Sequence, residues 1–314
     1  MTIARPATPP AAMPAGRLGR LLAWRPNYEA QSAGLFLLPV MTVLAAVAVF
    51  PILYSLYLSF FSLKLTRPHR VPFVGLDNYA DLLTDAAFWA AVARTVEFTL
   101  ICVSAIAVLA LLVALLLNET FRGRPLIGAL LLVPWAIPSV ANGLMWKWIY
   151  DSGYGALNGA LYQLGIIDSY TIWLGDPAKT MVLIGNAFVW KELPLAAILI
   201  LVTMKSIPSD LYRAAKVDGA NVLQRFIHIT LPSLRPGFML VLIYETMMAI
   251  RHFDLFFLLT EGGPGNTSHV LAWKIYVETF RNLSFGTGNA LAYIMAIVTF
   301  ALAYTIIRTL GRRL

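Results

Sequence analysis

Two short sets of residues place polar and charged side chains inside apolar runs. The first is Asn186, Trp190, Lys191 and Glu192. Asn186 and Trp190 are four apart and share a helix face, which sets an amide beside a flat ring. The second is Glu245, Met248, Ala249 and His252, spaced i, i+3, i+4 and i+7 on one helical stripe, with Arg251 and Asp254 at its end. Flat rings suit the C–H faces of a sugar, and hydrogen-bonding side chains suit its hydroxyls. Ionisable groups in apolar runs are expensive, so they face a cavity or a partner. Lys191 and Glu192 are adjacent and point apart, which leaves one of them to pair with a partner subunit. Met248 reads equally as packing, and His252 as a helix-end residue.

Nothing in this set is catalytic. The chain has no H-E-x-x-H, no G-x-S-x-G and no paired cysteines. It has no G-x-x-x-x-G-K-[ST] loop to cradle the phosphates of ATP. Cys102 is the single cysteine, so it has no partner for an intrachain disulfide. His228 has no second His or Cys nearby and is a poor metal ligand. We expect no metal and no cofactor bound by this chain.

The elements that must position these residues are membrane spans. The chain has 314 residues, 59% hydrophobic and 13% charged, against about 25% charged in soluble domains. Helix-length apolar runs predict an all-α bundle, because lipid leaves every backbone group to be bonded internally. Six runs approach the roughly 20 residues that cross a bilayer: 34–62, 92–117, 126–150, 179–204, 236–259 and 287–309. Pro134 and Pro138 predict a kink or break in the third. Trp146 and Trp148, near its end, read as interfacial anchors. Residues 1–33 are rich in Ala, Pro and Arg and read as a tail, closing in a short interfacial helix near Tyr28. Residues 34–314 form the transmembrane domain.

Net charge is +8. A basic balance can mean nucleic acid, but its distribution argues otherwise. Of the 24 Lys and Arg, 14 lie in 1–33, 118–125, 205–235 and the C-terminal tail. These share one side of a six-span chain, so both termini and the 205–235 loop are expected in the cytoplasm, with no nucleic-acid partner.

Between Tyr212 and Pro236 the loop carries a polar helix, a turn at Asp218-Gly219 and a second helical stretch. A charged helix-turn-helix between spans serves something aqueous. The segment resembles the EAA loop of bacterial ABC importer permeases, E-A-A-x-x-D-G-A followed by Phe, Ile and L-P. Ala214, Ala215, Asp218, Gly219, Ala220, Phe226, Ile229, Leu231, Pro232 and Pro236 stand where that pattern has them. One position departs: Arg213 replaces the leading Glu. In the family this loop sits in a cleft on the ATPase. Arg213 puts the ion pair made there by Glu in question, but not the docking.

Two further motifs narrow the resemblance. Phe73, Gly75, Leu76, Asn78 and Tyr79 follow the F-x-G-L-x-N-Y of carbohydrate importer permeases. Leu259, Thr260, Gly262, Gly263 and Pro264 follow the L-T-x-G-G-P of their MalF-like branch. The resemblance implies the six-helix importer-permease fold and no enzymatic activity in this chain. It implies a second, MalG-like permease, a pair of ATPase subunits using ATP and Mg, and an external sugar-binding protein. It implies a bacterial cytoplasmic (inner) membrane location. In that branch, sugar contacts flank the cytoplasmic loop. Their register falls on Phe188, Glu192 and Leu195 before it and on the 245–252 stripe after it.

The substrate so implied is a neutral di- or oligosaccharide of trehalose or maltose type. A glycerol-phosphate importer is the close alternative; it would want clustered Arg or Lys, and Glu192, Glu245 and Asp254 offset Lys191 and Arg251. A secondary transporter would show repeats with broken helices at matching positions, and no clear repeat is present.

Overall fold

The computed structural model describes residues 28–311. The part of the tail at 1–27 lies outside them, as do Arg312 and Arg313. The described chain forms two units, one ending at Ser55 and one beginning at Leu56.

Helix α1 comprises Tyr28–Leu44, a wider turn at Ala45–Val49, and Phe50–Ser59. The described helix begins at Tyr28. Pro39 lies inside it.

The second unit holds α2 (Asp77–Thr84), α3 (Ala86–Asn118), α4 (Arg124–Ala136), α5 (Ser139–Ile149), α6 (Ala156–Gln163) and α7 (Pro177–Lys205). It continues through α8 (Ser209–Val217), α9 (Val222–Arg225), α10 (Arg235–Ile250), α11 (Asp254–Leu259), α12 (Leu271–Tyr276) and α13 (Phe285–Gly311). Among the described residues, four segments are long and apolar enough to cross a membrane: Gly34–Ser59, Ala86–Asn118, Pro177–Lys205 and Phe285–Gly311. Two bent pairs add a span each if each pair is one broken span.

The centre is the packing of α3 against α7. Asp85 opens α3 by accepting from the Ala87 N–H at 2.8 Å. Asp176 does the same for α7 from Ala178, at 2.9 Å, with Pro177 at the first helical position. Along α3, Phe98, Cys102, Ile106, Ala110 and Ala114 recur every fourth residue and are all buried. Small residues on both sides let the backbones approach. A Cβ at Gly185 would stand 3.1 Å from Cys102 Sγ, so a larger residue would push the two helices apart.

The third apolar run breaks after Ala136. Pro138 cannot donate to the ladder, and α4 and α5 meet at 97°. The fifth run also differs from a continuous helix over 236–259. Helix α10 stops at Ile250, and the chain restarts as α11 at Asp254. Its 16 residues span roughly 24 Å. Arg251, His252 and Asp254 stand at the break.

The F-x-G-L-x-N-Y segment is a clasp. Asn78 Nδ2 donates to the carbonyls of Ser59 (2.7 Å) and Phe61 (3.0 Å). The Tyr79 hydroxyl lies 2.7 Å from Ser59 Oγ. Phe285 N–H donates to the Leu63 carbonyl at 2.9 Å, so the start of α13 is tied to the same strand of chain.

Candidate functional site

Helix α8 ends in a Schellman turn. The Ala220 N–H donates to the Ala215 carbonyl at 2.8 Å, and the Gly219 N–H to that of Lys216 at 3.1 Å. Gly219 takes the left-handed conformation this requires, with φ of +80°. Asn221 then caps α9 in a box with Gln224, both bonds 2.9 Å. The Tyr212 hydroxyl meets Thr230 Oγ1 at 2.9 Å and ties the two limbs. The second limb passes through Phe226–Thr230 and Leu231–Ser233 and meets α10 at 57°.

This loop exposes apolar side chains that a solvated turn would not. Val217 is 89% exposed, Val222 74% and Leu223 64%. Ala214, Asp218 and Gly219 are exposed, while Ala215, Ala220, Phe226 and Pro232 are half-buried. A concavity of about 410 Å³ opens between Ala215, Gly219, Gln224 and His228. Arg213 is exposed and pairs with Asp210 on its own helix.

Within the spans, α5 and α7 assemble an aromatic wall. Trp146 meets Trp190 edge-on, with ring centroids 5.8 Å apart, and lies 5.1 Å from Tyr150. Asn186 Nδ2 donates to the Tyr150 hydroxyl at 2.9 Å. Asn186 is exposed and Trp190 half-buried, on the shared face expected from their spacing. Trp146 Nε1 is buried without an acceptor. Sequence reasoning missed Trp146 and Tyr150 as members of this group. Trp146 read as an interfacial anchor, and only the 97° bend brings it to Trp190.

Lys191 and Glu192 do not point apart. Lys191 Nζ lies 3.1 Å from Glu192 Oε1, with both side chains nearly closed to solvent. Adjacent residues leave a helix about 100° apart, but the flexible Lys stem bends across that gap. Glu245 is fully buried, and neither of its oxygens has a hydrogen-bond partner. It lies within the electrostatic reach of Glu192 and Lys191.

The stripe on α10 is turned inward. Glu245 and Ala249 are buried, and Met248 is half-buried, its sulfur 3.2 Å from Arg251 Nη2. His252 lies beyond the helix end, and its ring packs edge-on to Phe188 at 5.0 Å. Phe188 is itself fully buried and meets Phe98 at 5.5 Å. Leu195 is half-buried. On the remaining surface of α10, Leu240 and Arg251 are exposed, while Tyr244, Met247 and Met248 are half-buried. Among the described residues, no cluster of three or more His, Cys, Asp or Glu could hold a metal.

Residues 106–314 match the family described as the binding-protein-dependent transport system inner membrane component. The chain is 36% identical over 283 residues to the trehalose/maltose transport system permease protein MalF of Thermococcus litoralis, covering 89% of this chain and 92% of that one. It is 36% identical over 279 residues to the sulfoquinovosyl glycerol transport system permease protein SmoG of Agrobacterium fabrum, covering 89% and 90%. Its fold is similar to that of a bacterial ABC transporter that imports the acidic polysaccharide alginate. The TM-score is 0.78 at 21% identity, over 90% of this chain and 96% of that chain.

Proposed function

The chain belongs to the family of binding-protein-dependent transport system inner membrane components, and from that premise we propose that it is one permease of an ATP-driven sugar importer. Its relatives are transport subunits, so ATP hydrolysis belongs to a separate ATPase using Mg. We place the chain in the bacterial inner membrane, with six spans and both termini in the cytoplasm. A second, MalG-like permease completes the path, and an external binding protein delivers the sugar. The substrate is a neutral di- or oligosaccharide of trehalose or maltose type.

The observation that carries this reading is the 205–235 loop. It presents bare Val217, Val222 and Leu223 around a concavity, and it continues directly into α10. Arg213, Ala214, Ala215, Asp218, Gly219, Ala220, Phe226 and Pro232 form the coupling surface. Closure of the ATPases moves this surface, and α7 and α10 move with it at its two ends. On the substrate side, exposed Asn186 and half-buried Trp190, Leu195 and Met248 supply the surface, backed by half-buried Trp146 and buried Tyr150. Phe188, Glu192, Glu245, Ala249 and His252 form the layer behind it, which re-sorts as the helices rock.

The test is reconstitution of the chain with its second permease, ATPase pair and binding protein. Trehalose or maltose is expected to stimulate ATP hydrolysis. Trp190→Ala and Asn186→Ala should each lower uptake, by the equivalent of about 1–3 kcal/mol for a lost sugar contact, while the complex still assembles. Stimulation by a charged sugar derivative and by neither disaccharide would refute the substrate class.

A further inference from the structure

The F-x-G-L-x-N-Y clasp closes the base of a loop, and that loop is cationic. Across the base, Ser62 N–H donates to the Pro72 carbonyl at 3.0 Å and Val74 N–H to that of Phe60 at 2.9 Å. The Phe61 and Phe73 rings meet edge-on there, 5.2 Å apart. Two successive turns build the loop. Arg67 N–H donates to the Lys64 carbonyl at 2.9 Å, and Arg70 N–H to that of Arg67 at 3.1 Å. Pro68 takes the second position of the latter turn, where its fixed φ suits the geometry. The middle is tied down as well, since Leu65 N–H donates to the Leu283 carbonyl at 2.9 Å, just before α13.

These turns set Lys64, Arg67 and Arg70 three residues apart, and all three are exposed. No Asp or Glu occurs from residue 30 to residue 76. The elements that hold the loop do carry acids, Asp77 and Asp81 on α2 and Glu278 before α13. None of them pairs with a loop cation, and Glu278 is instead held by Asn282 at 3.1 Å. Among the described residues, the side chains of Lys64, Arg67 and Arg70 have no ion-pair or hydrogen-bond partner.

In the topology proposed above, this loop lies outside. Lys and Arg gather in cytoplasmic loops, so three free cations on the outer side run against that bias. The negative surface potential that draws basic segments to lipid belongs to the cytoplasmic leaflet. Attraction to a charged plane also makes no demand on backbone geometry, whereas this backbone is held at its base and its middle. Fixed, unanswered charges suit a partner whose own charges are fixed.

We infer that the 61–73 loop is a docking surface for an acidic face of the external sugar-binding protein, with Lys64, Arg67 and Arg70 steering its approach. Complementary charge at such a surface acts chiefly on the association rate. The inference rests on the importer reading above, which supplies the soluble partner, and not on which sugar that partner carries.

The experiment measures binding of the sugar-loaded binding protein to the whole transporter, reconstituted in phosphatidylcholine vesicles with its second permease and ATPase pair. The triple variant Lys64→Glu, Arg67→Glu, Arg70→Glu should assemble as the wild type does and bind about tenfold more slowly at low salt. The gap should close near 1 M salt, where charges are screened within about 3 Å. The corresponding triple change to Gln should fall between. Equal association rates in the wild type and the charge-reversed variant, or a gap that survives 1 M salt, would overturn the proposal. If the rates are equal and the two instead differ in how phosphatidylglycerol in the vesicle alters ATP hydrolysis, the loop belongs to lipid and the proposal falls. A wild type that does not bind the sugar-loaded protein at all would overturn the importer reading itself, and the proposal with it.

Discussion

The Lys191 ammonium stands 3.1 Å from the Glu192 carboxylate, and the two are sequence neighbours buried together in the middle of α7. The second carboxylate oxygen of Glu192 has no partner, and Glu245 lies behind the pair with neither oxygen bonded. Lys191 is therefore the cation paired with Glu192 in a region closed to water, with Glu245 within its electrostatic reach. Removing that cation leaves uncompensated charge, which is costlier than removing a whole pair.

Lys191→Met should accordingly destabilise the permease by about 3–5 kcal/mol. The double variant Lys191→Met with Glu192→Leu should recover part of that loss. Thermal unfolding of the purified complex measures both. A double variant no more stable than the single one would show that Glu245, rather than Glu192, is what Lys191 neutralises.

Gly219 has φ of +80°, and a Cβ there would meet nothing within 4 Å. The requirement is therefore conformational and not one of space. Asn tolerates the left-handed region where a β-branched residue does not. Gly219→Asn should keep sugar-stimulated ATP hydrolysis, while Gly219→Val should uncouple or release the ATPase at a local cost of about 1–2 kcal/mol. Equal coupling in the two variants would separate this turn from the docking surface.

Arg213 pairs with Asp210 in an exposed i, i+3 arrangement. Such pairs contribute little to stability, about 0.5 kcal/mol. Arg213→Glu should therefore leave the permease as stable as before. Its effect should fall on assembly, weakening ATPase binding by about 1 kcal/mol or more. Tighter ATPase binding would mean that a basic patch awaits the residue at this position.

Gly262 is confined by both conformation and space. Its φ is +88°, and a Cβ would lie 2.5 Å from Trp273 Nε1 and from His269 Nε2. Gly265 has φ of +55° with open space around it. Gly262→Ala should cost more than Gly265→Ala, the difference being about 1–3 kcal/mol for overpacking. Comparing the unfolding midpoints of the two variants tests this.

His269 sets a pH dependence on the outer side. Burial first, then the positive charges of Arg94, Lys274 and Arg281, hold its folded pKa below the unfolded value of about 6.5. The folded state then binds fewer protons than the unfolded one, so stability falls as pH drops from about 6.5 through the folded value. Asp85, lowered first by its hydrogen bond from Lys274, adds a loss of the same sign at more acid pH. His269→Gln should flatten the first loss and leave the second. An unchanged slope between pH 7 and the Asp85 window (about 4 and below) would remove His269 as its source.

Much of this protein was decided by local sequence. The composition and run lengths require membrane helices, because an apolar run can satisfy its own backbone in lipid. Pro138 marks the break between α4 and α5, because it lacks an N–H. Asp218-Gly219-Ala220 marks the turn of the coupling loop, because the Schellman geometry needs a residue free to take positive φ. Asn186 and Trp190 share a face by helical periodicity alone.

What the tertiary structure decided is which face turns inward and what meets it. Periodicity groups Glu245 with Met248 and Ala249, but α10 is apolar on nearly every side, so no moment distinguishes its faces. Packing against α3, α7 and α13 set the rotation, buried Glu245 and left Tyr244 and Met247 half-buried. Lys191 and Glu192 pair because no nearer partner reaches either of them inside the bundle. Trp146 reaches Trp190 across 44 residues of chain because α5 leaves α4 at 97°. Each of these depends on groups distant in sequence, whose meeting is set by backbone direction and close packing rather than by local pattern.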